Sequence, residues 1–143
     1  MTLTKIQEAE VTEAIQQYAT AYMKKDIRAL SALFSQDITG FGSGPDEVIT
    51  NHDDFIRQMK RDISQATILA VEFTDRKISG DGRIAWATSK STITFTVDGS
   101  KKQALSGRST MVLKNTGSRW KIEQLHFSLP YGEQSAGQSF PGA

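Results

Sequence analysis

The sequence contains no cysteine, so disulfides, iron–sulfur clusters and thiolate catalysis are excluded. Histidine is nearly as scarce. His52 and His126 are the two copies, lying far apart and without obvious acidic companions, and no HExxH occurs. That pattern argues against a protein-held zinc ion, and no metal or cofactor is expected. No stretch approaches the roughly 18 consecutive apolar residues that suggest a membrane-spanning helix. The opening "MTLTKIQEAE" is polar and carries acids early, unlike an apolar leader, so a cytoplasmic protein is the expectation. Charge of one sign is missing too. With 17 basic against 16 acidic residues the formal net charge is +1, which gives no broad attraction to nucleic acid or acidic membranes. The pairs Lys24–Lys25 and Lys101–Lys102 read as solvated surface. "GFGSG" has alternating glycines but no phosphate-binding lysine and no strand–turn–helix setting, so nucleotide binding is weakly supported. Ser109 and Ser128 lie in no nucleophile-elbow motif. No basic stripe studded with aromatics offers a path for single-stranded nucleic acid.

The chain has 143 residues, of which 38% are hydrophobic; this suits one domain with a packed core. The first third has helical periodicity. Thr4 and Gln7 resemble a capping box, and Val11, Ala14, Ile15, Tyr18, Ala21 and Tyr22 follow at helical spacing. A second helix starts near Asp26 and turns Ile27, Leu30, Leu33 and Phe34 inward. "SQDITGFGSGPDEVIT" breaks it with three glycines and Pro45, giving a shaped loop with a short extended piece. Asn51 caps a third helix carrying Phe55, Ile56, Met59 and Ile63. His52, at its start, suggests a solvent-facing or capping role. After residue 65 the period becomes that of strands. "ATILAVEFT", "RIAWATSKSTITFTV", "KKQALSGRSTMVLKN" and 119–128 alternate with the turns "SGDG", "DGS" and "TGS". Residues 130–143, rich in Pro, Gly and Ser, are read as a polar flexible tail after a domain covering 1–129.

Strand parity then sorts the side chains. In "RIAWATSKSTITFTV", Ile84 and Trp86 are even while Ile93, Phe95 and Val97 are odd. A bulge or bend between 88 and 92 would bring both sets to one face. Arg108, Thr110 and Val112 share a face, as do Trp120, Ile122, His126 and Ser128 on strict alternation. Leu105, Met111, Leu113, Leu125 and Phe127 fall on the other parity. Helices cover one side of a single sheet, so this second apolar set calls for a partner.

The order of elements, with "AIQQYATAYMKKDIRALSALFSQDI", "GFGSGPDEVI", "RIAWATS", "LSGRSTMVL" and "RWKIEQLHFSLP", resembles the nuclear-transport-factor-2-like superfamily over about residues 8–129. It is nearest to the SnoaL-like and ketosteroid-isomerase-like branch. The ending with Trp120, His126, Ser128 and Pro130 is also similar to the association domain of calmodulin-dependent kinase. The resemblance implies an α+β conical barrel, a strongly bent antiparallel sheet wrapped around three N-terminal helices. It further implies a pocket and a homodimer formed through the outer sheet face. On that pattern the face of His126 and Arg108 lines the pocket, fringed by Tyr18, Tyr22, Phe41, Phe55, Met59, Trp86 and Ser128. Arg108 would hold a carboxylate in bidentate fashion. His126 would move a proton near neutral pH, and Tyr18 or Tyr22 would donate to a carbonyl or enolate oxygen.

Each residue also has an ordinary reading. His126 is a satisfied sheet histidine, Arg108 pairs with an acid on the outer sheet, the tyrosines and tryptophans pack, and Asp37 satisfies loop amides. The isomerase pattern sets its carboxylate base near Gly42, and glycine has none, which leaves His126 or Asp37 to substitute. Two functions follow. One is a module that binds a small acidic or carbonyl ligand, or associates through it. The other is an isomerase, cyclase or dehydratase acting on a small carbonyl or carboxylate compound with His126, Tyr18 and Asp37 as catalytic candidates.

Overall fold

A computed structural model describes residues 2–143. Helix α1 spans Lys5–Met23, and the capping box is present: the Thr4 hydroxyl accepts from the Gln7 amide while the Gln7 side chain accepts from Thr4 N–H. Helix α2, Ile27–Leu33, starts at Asp26, whose carboxylate accepts from Ala29 N–H at 3.0 Å. Helix α3, His52–Gln65, is capped by Asn51 accepting from Asp54 N–H at 2.8 Å. Each cap satisfies an amide that the first helical turn leaves without a partner. His52 is buried rather than solvent-facing: its Nε2 donates to the Ser31 carbonyl at 3.0 Å, joining α3 to α2.

Strands β1 (Phe34–Phe41), β2 (Val48–Ile49), β3 (Thr67–Gly80), β4 (Ile84–Thr96), β5 (Gln103–Asn115) and β6 (Trp120–Ser128) form one sheet in the order β2-β1-β6-β5-β4-β3. This corrects the expected conical antiparallel barrel. The sheet is open, with β2 and β3 as edges, and it is mixed, because β1 runs parallel to β6. The parallel pair follows from the chain path. β1 leaves α2 early and is reached by β6 only after the three long antiparallel strands have been laid down. The two backbones approach closely at Gly40, where any Cβ would run into the Leu125 carbonyl. The core lies between the helices and one face of the sheet. Phe34 and Phe55 stack at its centre with ring centroids 3.9 Å apart, both fully buried.

Bulges decide which side chains meet that core. In β6, Val112 faces Gln124 but Leu113 faces Ile122, so Glu123 is an extra residue and the alternation slips by one. Trp120 and Ile122 therefore share the helix-facing side with Leu125 and Phe127, and His126 turns outward. The β4–β5 register is unbroken from Ile84 to Phe95, which corrects the expected bulge between 88 and 92. The bulge sits across the ladder in β3 instead, between Thr74 and Lys77, with Asp75 at φ 52°. With β4 straight, Ala85, Ala87 and Ser91 point to the core and Trp86 points away, 49% exposed. Met111, Leu113 and Leu125, expected on a partner face, are core residues. Residues 130–143 carry turns but no helix or strand.

Candidate functional site

Between α1, α3, the 42–47 loop and the helix-facing side of β3–β6 lies a narrow cavity of about 70 Å³. Its walls are aromatic and aliphatic: Tyr18, Tyr22, Phe73, Met59, Ile93 and Phe127 among others. A second, more open chamber of about 270 Å³ adjoins it, lined by Ser43, Gln65, Phe95 and Leu105. Both chambers are lined by Tyr22, Glu47, Asp62, Ile93 and Phe127, so two carboxylates stand at the neck between them.

These carboxylates are held in one network. Tyr22 Oη donates to Asp62 Oδ2 at 2.8 Å, and Gln58 Nε2 donates both to Asp62 Oδ1 at 2.6 Å and to Glu47 Oε1 at 2.9 Å. The other Glu47 oxygen accepts from the Gly44 amide, which fastens the loop to the site. Opposite, Ser91 and Ser109 share a buried hydrogen bond of 2.5 Å. The Tyr18 ring packs edge-on against Phe34 and stacks on Phe73, and its hydroxyl has no protein partner among the described residues.

Burial dominates the electrostatics. Loss of solvent raises the Asp62 carboxyl above its ordinary value of 3.8, against the hydrogen bonds from Tyr22 and Gln58 that lower it. Loss of solvent also raises Glu47, with the charge of Asp62 adding to it. Tyr18 and Tyr22 are raised by burial and by the adjacent Asp62 charge, so both remain protonated donors. Two acids with raised values, beside phenols in an apolar cavity, are groups suited to proton transfer.

The cavity brings together four of the expected residues, Tyr18, Tyr22, Met59 and Phe41, the last at the rim with its ring 5.4 Å from that of His126. It does not receive the others. His126 opposes Thr110, which opposes Thr88, all on the sheet face turned away from the helices; Arg108, paired with Ser128, lies two residues along on that face. With the Glu123 bulge, the face that carries His126 and Arg108 is the outer one. Trp86 is on that face too, Phe55 is sealed in the core, and Asp37 is exposed on β1 with its amide donating to Ser35.

Asp62, Glu47 and Gln58 were missed. Helical acids usually face water, and "PDE" reads as turn. The available signal was periodicity: Asp62 follows Phe55 and Met59 at i+7 and i+3, so it interrupts the apolar stripe of α3. The gap left by Gly42 is filled as well, since a Cβ there would lie 2.8 Å from Glu47 Oε1. Glu47 thus supplies a carboxylate where the glycine has none.

Residues 11–132 match the SnoaL-like domain model, and the chain belongs to that family. Its fold is shared with solved structures described as nuclear-transport-factor-2-like. Among solved structures, a candidate dehydratase of the nuclear-transport-factor-2-like family from Streptomyces avermitilis is 18% identical, with a TM-score of 0.77 over 90% of this chain and 99% of that one. A candidate scytalone dehydratase from Novosphingobium aromaticivorans is 12% identical, with a TM-score of 0.79 over 94% and 96%. A candidate calcium/calmodulin-dependent protein kinase II association domain from Xanthomonas campestris is 18% identical, with a TM-score of 0.76 over 84% and 85%. At these identities the likeness concerns the fold. No curated protein gives a significant sequence match.

Proposed function

We propose that the protein is a small-molecule enzyme of the isomerase or dehydratase type, acting by proton transfer on a carbonyl- or hydroxyl-bearing compound. The observation that carries this is the raised Asp62 carboxyl, hydrogen-bonded to Tyr22 and Gln58 at the neck of an apolar cavity. In its ionised form Asp62 takes a proton from carbon next to a carbonyl, or from a leaving hydroxyl's neighbour, and returns it at a second position. The unpartnered Tyr18 hydroxyl donates to the oxygen on which negative charge develops. Glu47, linked through Gln58, fixes the loop that walls the site. One feature favours the alternative of a non-catalytic binding module: both Asp62 oxygens already accept a hydrogen bond, which weakens a base.

Exchange in deuterium oxide separates the two. A panel of enolisable cyclic ketones and β-hydroxy ketones is followed by proton NMR with the wild type and Asp62→Asn. Enzyme-dependent exchange or water loss that vanishes in the variant supports the proposal. Binding in the cavity without turnover across the panel would leave the binding module.

We also propose that the protein works as a homodimer, joined through the outer sheet face. Its support is the outward set of Phe41, Ile84 and Trp86, which are 49%, 38% and 49% exposed.

A further inference from the structure

Charge in the cavity is of one sign. Among the described residues, neither chamber is lined by a lysine, arginine or histidine, while Asp62 and Glu47 line both. Arg61, the nearest cation in sequence, is engaged outside the cavity with Asp46 through contacts of 2.7 and 3.2 Å. The cavity wall adds aromatic rings from Tyr18, Tyr22, Phe73 and Phe127. Ring faces attract cations, and buried carboxylates that have lost water are stabilised by one. Tyr18, whose hydroxyl makes no hydrogen bond among the described residues, also lines the inner chamber and offers a bound molecule a donor there. The two connected chambers give that molecule an extended form.

We infer that the site selects an elongated apolar compound carrying one cationic nitrogen, with its apolar body laid along the two adjoining chambers and its ammonium at the Asp62–Glu47 pair that lines both. This rests on the pocket reading proposed above and narrows its substrate class. It also reverses the acidic ligand suggested by Arg108, which lies on the far side of the sheet. Each acid accepts two hydrogen bonds, but those of Glu47 come from amides alone, and it is the carboxylate assigned to the ammonium, while one of those of Asp62 comes from a phenol. Asp62, donated to by a phenol as well, keeps the proton-transfer role.

Three probes of one shape test this: 3-phenylpropylamine, 3-phenylpropan-1-ol and 3-phenylpropanoate. Binding to the full chain is measured at pH 7 by titration calorimetry and by shifts of the Met59 methyl signal. The amine is expected to bind about tenfold more tightly than the alcohol, and the anion more weakly than either. Glu47→Gln should bring the ratio of amine to alcohol affinity, read within the same variant, close to one. Equal binding of amine and alcohol, or tighter binding of the anion, overturns the inference but leaves the pocket reading standing. No shift of Met59 with any probe overturns both.

Discussion

At the scale of single residues, the site turns on the protonation of Asp62. Its carboxyl is raised by burial, so in the folded protein the neutral form is favoured over a wider range than in the unfolded chain. The sign follows. Its stabilising contribution is complete below the unfolded value near 3.8 and is lost as pH rises through the higher folded value. Asp62→Asn should therefore raise Tm at pH 7, and the gain should shrink to nothing as pH falls below the ordinary carboxylate range; calorimetric melts across pH check this. The same substitution should abolish proton transfer, so activity and stability move in opposite directions. Tyr22→Phe acts the other way on the titration. The Tyr22 hydroxyl donates to Asp62 and lowers it, so its removal should move the rising limb of the pH–rate profile to higher pH. It should also cost about 1.5–3 kcal/mol, the usual worth of a hydrogen bond to a charged group. An unmoved limb would mean that Asp62 is not the group being titrated.

At the scale of elements, the helices were legible from sequence because their signals are local. Thr4, Asp26 and Asn51 cap where their side-chain chemistry says they should, and the apolar spacing of α1 and α3 gives the buried faces. The strands were legible as strands but not in phase. A bulge is an agreement between two strands, and nothing in "RWKIEQLHF" alone shows that Glu123 is the residue left over. One residue of slip exchanged His126 for Leu125 and Phe127 at the pocket and hid the outer face. Asp62 and Glu47 escaped for a related reason, since the contacts that bring them together, Tyr22 with Asp62 and Gln58 with Glu47, join segments distant in sequence. Deleting Glu123 tests the point. The restored alternation would drive Leu125 and Phe127 outward and bring His126 and Ser128 against the core. The shortened chain should lose cooperative melting, whereas Glu123→Ala, which keeps the bulge, should stay within about 0.5 kcal/mol of wild type.

At the scale of the whole molecule, an open sheet with helices on one side leaves its other side to be accounted for. Phe41 and His126 lie together on that side, and Trp86 and Val112 oppose each other one ladder step away. Thr88, Thr110 and Gln124 fill the spaces between them, so the centre of the face is uncharged. Lys90, Asp75 and Arg108 stand toward one end of it, with Lys90 3.4 Å from Asp75. An apolar and neutral centre with charges at the margin is how an interface is usually arranged. Two copies related by a two-fold axis would each supply the same patch, and Trp86 is the natural anchor because large aromatics carry most of the energy in such contacts. Trp86→Lys should therefore convert a dimer to a monomer in sedimentation velocity at micromolar concentration. Trp86 makes no part of the cavity wall, so ligand binding by the monomer should survive. A wild-type protein that sediments as a monomer at that concentration would refute the dimer while leaving the pocket untouched.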